Sequence, residues 1–166
     1  MAAGSTYTPI ATTTLGSATN SVTFSSIAGT YTDIVIVMNL GNASSENTAI
    51  QFNSDTGTNY SITYLAGDGT SASSGRTTSA AYIRVDSSSA PSTSLNSTHI
   101  VNVMNYANST TYKSTVMRSN TASGGTAATV GLWRSTAAIT AIKIYGINSS
   151  NLASGSTFTL YGITAA

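Results

Sequence analysis

The sequence predicts an all-β fold, and three observations carry the prediction. Apolar residues recur with a period of two, they are rich in β-branched and aromatic types, and turn formers separate them at short spacing. About ten short strands of this kind, with no stretch that combines helical periodicity with good helix formers, make a sandwich or a barrel with negligible helix.

Taken in order, residues 1–14 open with little alternation, and Pro9 suits an edge or connecting strand. This segment reads as an extended N-terminal arm that contacts a partner subunit. Ser21-Val22-Thr23-Phe24, with Val22 and Phe24 on one face, is a short strand ended by the turn at Ala28-Gly29. Residues 31–40 are apolar on both faces through Ile34-Val35-Ile36-Val37-Met38, as in a strand buried between two layers, and they are the predicted central strand. Further strands are predicted over residues 48–53, 59–66, 80–86, 98–106, 111–119, 126–134, 139–147 and 156–163. Turn formers lie between them at Asp55-Thr56-Gly57, Gly67-Asp68-Gly69, Ser87-Ser88-Ser89, Ser123-Gly124-Gly125 and Ser154-Gly155. The stretch 139–147 has apolar groups on both faces, so one of them is expected to meet a second sheet or a second subunit. The Ser-rich stretches 71–74 and 87–94 read as ordinary surface loops.

A chain of 166 residues fits a single domain, 1–166, large enough to fold on its own core. Charged residues are only 7% of it, against a norm of about 25%. Ser and Thr supply roughly a third, so the surface is built from hydroxyls and amides. Hydrophobic residues at 40% with a net charge of +1 are the reverse of a disordered composition. So small a charge supplies no long-range field for nucleic acid or anionic lipid, and neither is an expected partner. Without Cys there is no disulfide and no thiolate metal site. The longest apolar run has five residues where a membrane helix needs about 20, so no membrane span is expected. The N-terminus lacks the basic start and apolar stretch of a secretory signal, and export by that route is not expected.

No motif points to catalysis, and no cofactor or metal is expected. Asp55-Thr56-Gly57 is the tripeptide of aspartic proteases, but their strand leads directly into it, whereas Asn53-Ser54 precede it here; it reads as a turn. His99, the chain's one histidine, alternates with Ile100 and reads as a partly buried or rim residue. Asp33, Glu46, Asp55, Asp68 and Asp86 are the only carboxylates from which a glycosidase pair could be drawn, and four of the five look like turn or strand-end residues. Gly67-Asp68-Gly69 has no following helix to receive a phosphate and is a hairpin turn. The Asn-x-Ser/Thr sequons match what abundant Asn, Ser and Thr produce by chance. Nine Tyr and Trp133 are expected to close the core and line subunit contacts.

Several stretches together carry a resemblance: residues 7–16 (YTPIATTTLG), 22–27 (VTFSSI), 131–135 (GLWRS) and 155–163 (GSTFTLYGI). They resemble a group of small virion proteins of tailed bacteriophages, over the whole chain, and the last stretch is the most specific. Related C-terminal strands close jelly-roll domains in capsid decoration proteins and at tail-fibre tips. The resemblance therefore implies an antiparallel β-sandwich of jelly-roll type and a virion location, with no catalytic residues to carry over. A chain that starts at Met1 and holds no coiled-coil or β-helical shaft tilts the expectation to the capsid. There it is expected to be a decoration, or cement, protein that bridges major capsid subunits. The alternative is a tail-fibre or knob protein that binds a host-surface glycan. The resemblance also implies a homotrimer, whose contacts are expected at Trp133, Tyr145 and Tyr161 or their strand neighbours, with Tyr7 and Pro9 contacting a partner from the arm.

Overall fold

The computed structural model describes residues 6–44, 46–86, 92–121 and 125–164, which form two antiparallel sheets facing each other. In chain order the strands are β1 (Tyr7–Thr14), β2 (Ser21–Phe24), β3 (Asp33–Leu40), β4 (Thr48–Phe52), β5 (Tyr60–Gly67) and β6 (Ala72–Ala80). They continue as β7 (Ile83–Arg84), β8 (Ser97–Met104), β9 (Lys113–Asn120), β10 (Thr126–Trp133), β11 (Ile142–Gly146) and β12 (Thr157–Ile163). Among the described residues the one helical element is a 3-10 turn, Ile147–Ser149. The expected all-β sandwich is therefore the fold, with twelve strands in place of about ten.

The large sheet runs β1-β12-β3-β8-β9-β10-β5-β6 and the small sheet β2-β11-β4-β7. Set aside the hairpins β5–β6 and β9–β10, and number the other eight strands along the chain. They then fall in the order 1-8-3-6 in one sheet and 2-7-4-5 in the other, the double Greek key of a jelly roll. The two hairpins extend the large sheet by four strands beyond β8.

Period-two patterning explains the core. Ile34, Ile36, Met38 and Leu40 of β3 point inward with Phe158 and Leu160 of β12 and Val101 and Val103 of β8. Val22 and Phe24 of β2, Ile50 and Phe52 of β4, and Ile142 and Ile144 of β11 face them from the small sheet. Val35, on the other face of β3, is also buried, flanked by its cross-strand neighbours Tyr161 and Asn102. The strand is thus not buried between two layers as expected: its inward face meets the small sheet, and Val35 on the outward face is covered only by its neighbours within the sheet.

Four other expectations need correction. Tyr7–Thr14 is not a free arm: it is extended, but paired along its length with β12 as an edge strand, while residues 1–5 lie outside the described residues. The Ser-rich stretch expected as a loop at 71–74 enters β6 at Ala72, because an edge strand is held by backbone bonds and needs no buried side chains. The strand expected over 80–86 shrinks to Ile83–Arg84. His99 is not at a rim but fully buried on the inner face of β8, between β3 and β9. Of the other Ser-rich stretch, 87–91 falls outside the described residues, and Ser92 Oγ accepts from the N–H groups of Ser94 and Leu95 in a local turn.

The turns follow their residue chemistry. At Gly67-Asp68-Gly69, Asp68 Oδ1 accepts from the N–H groups of Thr70 and Ser71, and Gly69 takes φ 88°. After β11 the chain doubles back so tightly that a Cβ on Gly146 would lie 2.5 Å from the Ser150 carbonyl oxygen and 2.8 Å from its carbon. Backbone on both sides leaves little room to relax. Gly146→Ala is expected to cost about 1–3 kcal/mol, read as a lower denaturation midpoint at unchanged m-value. A midpoint equal to that of the parent would mean that the 147–150 turn shifts freely.

Candidate interaction surface

Apart from β6, whose side chains are exposed on both faces, the inner faces of the two sheets are committed to the core, so contacts with other molecules fall to the outer faces, the edges and the loops. The outer face of the large sheet is built from cross-strand rows that the register fixes. One row runs across all eight strands as Pro9, Tyr161, Val35, Asn102, Val116, Val130, Thr63 and Arg76. The next runs Thr12, Thr159, Val37, Ile100, Arg118, Ala128, Leu65 and Ser74. Leu132 and Met104 lie on the same face one row further on.

This face is apolar where a solvated sheet would be polar. Leu65 is 66% exposed, Val130 53%, Met104 49% and Val116 45%, and Val116 and Val130 are directly opposed. Single exposed apolar residues are ordinary, but a contiguous set on one sheet marks a contact surface. The outward positions of the eight strands carry three charged residues, Asp33, Arg76 and Arg118. Between the Leu65 row and the strand ends at Gly67, Thr126, Asn120 and Thr98 the face forms an open groove of about 600 Å³, with Arg118 in its wall.

Three of the residues expected at subunit contacts belong to this face. Tyr7 is exposed and meets Tyr161 edge-on at 6.1 Å, beside Pro9 at the β1 bulge. Tyr145 lies on the outer side of the small sheet instead, against Tyr82 at 6.2 Å and under the Lys143 ammonium at 5.0 Å, so it cannot share one flat contact with Tyr161. Burial pushes its hydroxyl pKa up to about 12, with the neighbouring Tyr82 adding to the shift. Trp133 faces inward and is 2% exposed, stacked on Tyr60 at 6.3 Å and tilted against Phe52 at 5.6 Å. Its indole N–H donates to Asp55 Oδ2 at 2.7 Å. Trp133 is therefore closed off from any subunit contact, while its strand neighbour Leu132 lies on the outer face.

The carboxylates are spent on the fold. Asp33 accepts from the Asn105 N–H at 2.5 Å, Asp68 caps its hairpin, and Glu46 accepts from Asn148 Nδ2 at 3.2 Å. Asp86 Oδ2 accepts from the Thr48 N–H at 2.7 Å. Asp55 is the turn residue its sequence suggests, accepting from the Gly57 N–H at 2.8 Å and from Asn59 Nδ2 as well as from Trp133. Burial raises its pKa, but these three donors outweigh burial and hold it below the usual value.

Sequence reasoning missed Leu65, Ile100, Met104, Val116 and Val130. The signal was present in β9 and β10, where Val116-Met117 and Leu132-Trp133 place apolar groups on both parities of the strand. No protein-family model matches this chain, and no curated protein is significantly similar to it.

Proposed function

We propose that this chain is a non-enzymatic structural protein of a bacteriophage virion, a decoration protein that bridges major capsid subunits through the outer face of its large sheet. One observation carries the reading: the apolar, nearly uncharged outer face of eight strands, which no other element among the described residues covers. Eight strands about 4.8 Å apart and eight residues of about 3.3 Å each span on the order of 1,000 Å². A stable interface needs about 800 Å² from each partner, so the face is large enough for one firm contact. Stabilisation comes from added contact area, since each bridging copy must be torn away before the lattice separates beneath it. A second reading, a tail-fibre or knob protein that takes a host-surface glycan, rests on the groove beside Arg118 and Asn120.

Copy number on the particle separates the two. A decoration protein is present in hundreds of copies and a tail protein in about a dozen, following the symmetry of each structure. Quantitative mass spectrometry of purified virions is expected to give the larger number. Val116→Glu and Val130→Glu, both at exposed positions, are expected to remove the protein from the particle without changing its circular dichroism. Absence from virions, or particle binding untouched by both substitutions, would overturn the proposal.

A further inference from the structure

The edge of a β-sheet carries unpaired backbone groups and is a template for another strand; folded proteins blunt such edges with proline, bulges, charge or brevity. Three of the four edges here are blunted. β1 carries Pro9 and a bulge between Pro9 and Ala11, β2 has four residues and β7 has two. β6 differs. It is nine residues long, pairs regularly with β5 from Ala72 to Thr77, and becomes irregular only near Ser79, where φ is 54°. Ala72, Ser73, Ser74 and Gly75 are too small to screen the backbone, and Arg76 is the strand's one charge. On the inner side the Tyr64 ring occupies the space that a side chain on Gly75 would need, which backs the strand and leaves its open edge clear.

We propose that β6 pairs antiparallel with β6 of a second copy, across a two-fold axis through Ser74, joining the two eight-stranded sheets into one. The occupant is a second copy because β6 is the unblunted edge, and pairing β6 with itself closes at two chains. Pairing it with β1, β2 or β7 would be heterologous and open-ended, besides meeting a blunted edge. The register follows from geometry and charge. In a continuous sheet the axis is normal to the sheet, so opposed residues share a face and therefore a parity. Centring on Ser74 sets Ser73 against Gly75 and Ala72 against Arg76 of the second copy, so no like charges are opposed. Centring on Arg76 would oppose two guanidinium groups, and centring on Gly75 would draw the irregular end at Thr78 into the ladder. Leu65 lies beside Ser74 on the outer face, so the dimer continues the apolar row across the junction. Five paired residues bury far less than the roughly 800 Å² of a standard interface, so the free pair forms at high-micromolar concentration and closes readily where copies are held side by side. This inference does not rest on the virion reading.

The chain has no cysteine, which makes the test direct. Ser74→Cys places two thiols opposite each other across the axis, with Cβ atoms about 4.5–5.5 Å apart, close to what a disulfide requires. Thr63→Cys, exposed on β5, is the control, since its two copies would lie about 20 Å apart, three strand spacings across and four residues along the strands. Under mild oxidation Ser74→Cys is expected to give a covalent dimer at least about tenfold faster than Thr63→Cys. Ser74→Lys opposes two ammonium groups and is expected to weaken the pair about tenfold, or about 1.4 kcal/mol, with circular dichroism unchanged. Sedimentation of the unsubstituted protein at high-micromolar concentration should give two chains or an even multiple. A monomer, a trimer, equal cross-linking of the two cysteine variants, or a dimer indifferent to Ser74→Lys overturns the pairing.

Discussion

Replacing Lys113 with Ala is expected to lower unfolding free energy by about 3–5 kcal/mol. Lys113 is fully buried at the start of β9. Its Nζ donates to the carbonyl oxygens of Thr111, at 2.8 Å, and Thr136, at 3.2 Å, and so ties the loop entering β9 to the loop leaving β10. Burial draws its pKa below the ordinary value. Its partners among the described residues are carbonyl dipoles and not a carboxylate, so the fold carries the cation for what it bonds. Truncation to Ala removes the stem, opens a cavity and strands two acceptors. Lys113→Met keeps most of the volume and strands only the acceptors, so its expected cost is smaller, about 1–3 kcal/mol. Denaturant titration of both variants separates packing from polar satisfaction. Equal losses in the two would mean that the stem contributes nothing, and no loss in Lys113→Met would mean that the carbonyls find other partners.

What the sequence makes legible is burial, and what it hides is backbone and distance. β3, β10 and β12 print their inward faces as Ile34-Ile36-Met38, Ala127-Thr129-Trp133 and Phe158-Leu160, because each inward position is selected by the core. β6 prints nothing, since Ala-Ser-Ser-Gly-Arg-Thr is held by its ladder to β5 and buries almost no side chain. Trp133 misleads because aromatics suit interfaces and cores alike. Its choice is made by Asp55, 78 residues away, whose carboxylate satisfies the indole inside the chain. Asp55 is legible as a turn residue from its neighbours, while its second role depends on a fold that brings β10 beside β5. The outer face is half legible for a similar reason. Val116 and Met117 are both apolar, and only the topology decides that Met117 is buried and Val116 is 45% exposed.

Stability is expected to change little between pH 4 and 7, because two buried groups oppose each other across that window. Asp86 is 1% exposed, and burial, partly offset by the Thr48 N–H and the Arg84 charge, pushes its pKa from 3.8 up to about 7. A group raised on folding stabilises fully below its unfolded value, and that contribution is lost as pH rises through the folded value. For Asp86 this is a loss of about 4 kcal/mol between pH 4 and 7. His99 is fully buried between Met38 and Ser119 on the neighbouring strands, with no partner for either ring nitrogen, and burial lowers its pKa from 6.5 to about 4. Its contribution is present above pH 6.5 and is lost as pH falls through 4, a change of about 3 kcal/mol in the opposite direction. Removing one group therefore unmasks the other. His99→Leu, which suits a site that offers the ring no hydrogen bond, should grow less stable as pH rises from 4 to 7. Asp86→Asn should grow less stable as pH falls over the same range. Thermal unfolding at half-unit pH steps measures all three profiles. Parallel profiles for the two variants would mean that one of these side chains reaches water and titrates near its ordinary value.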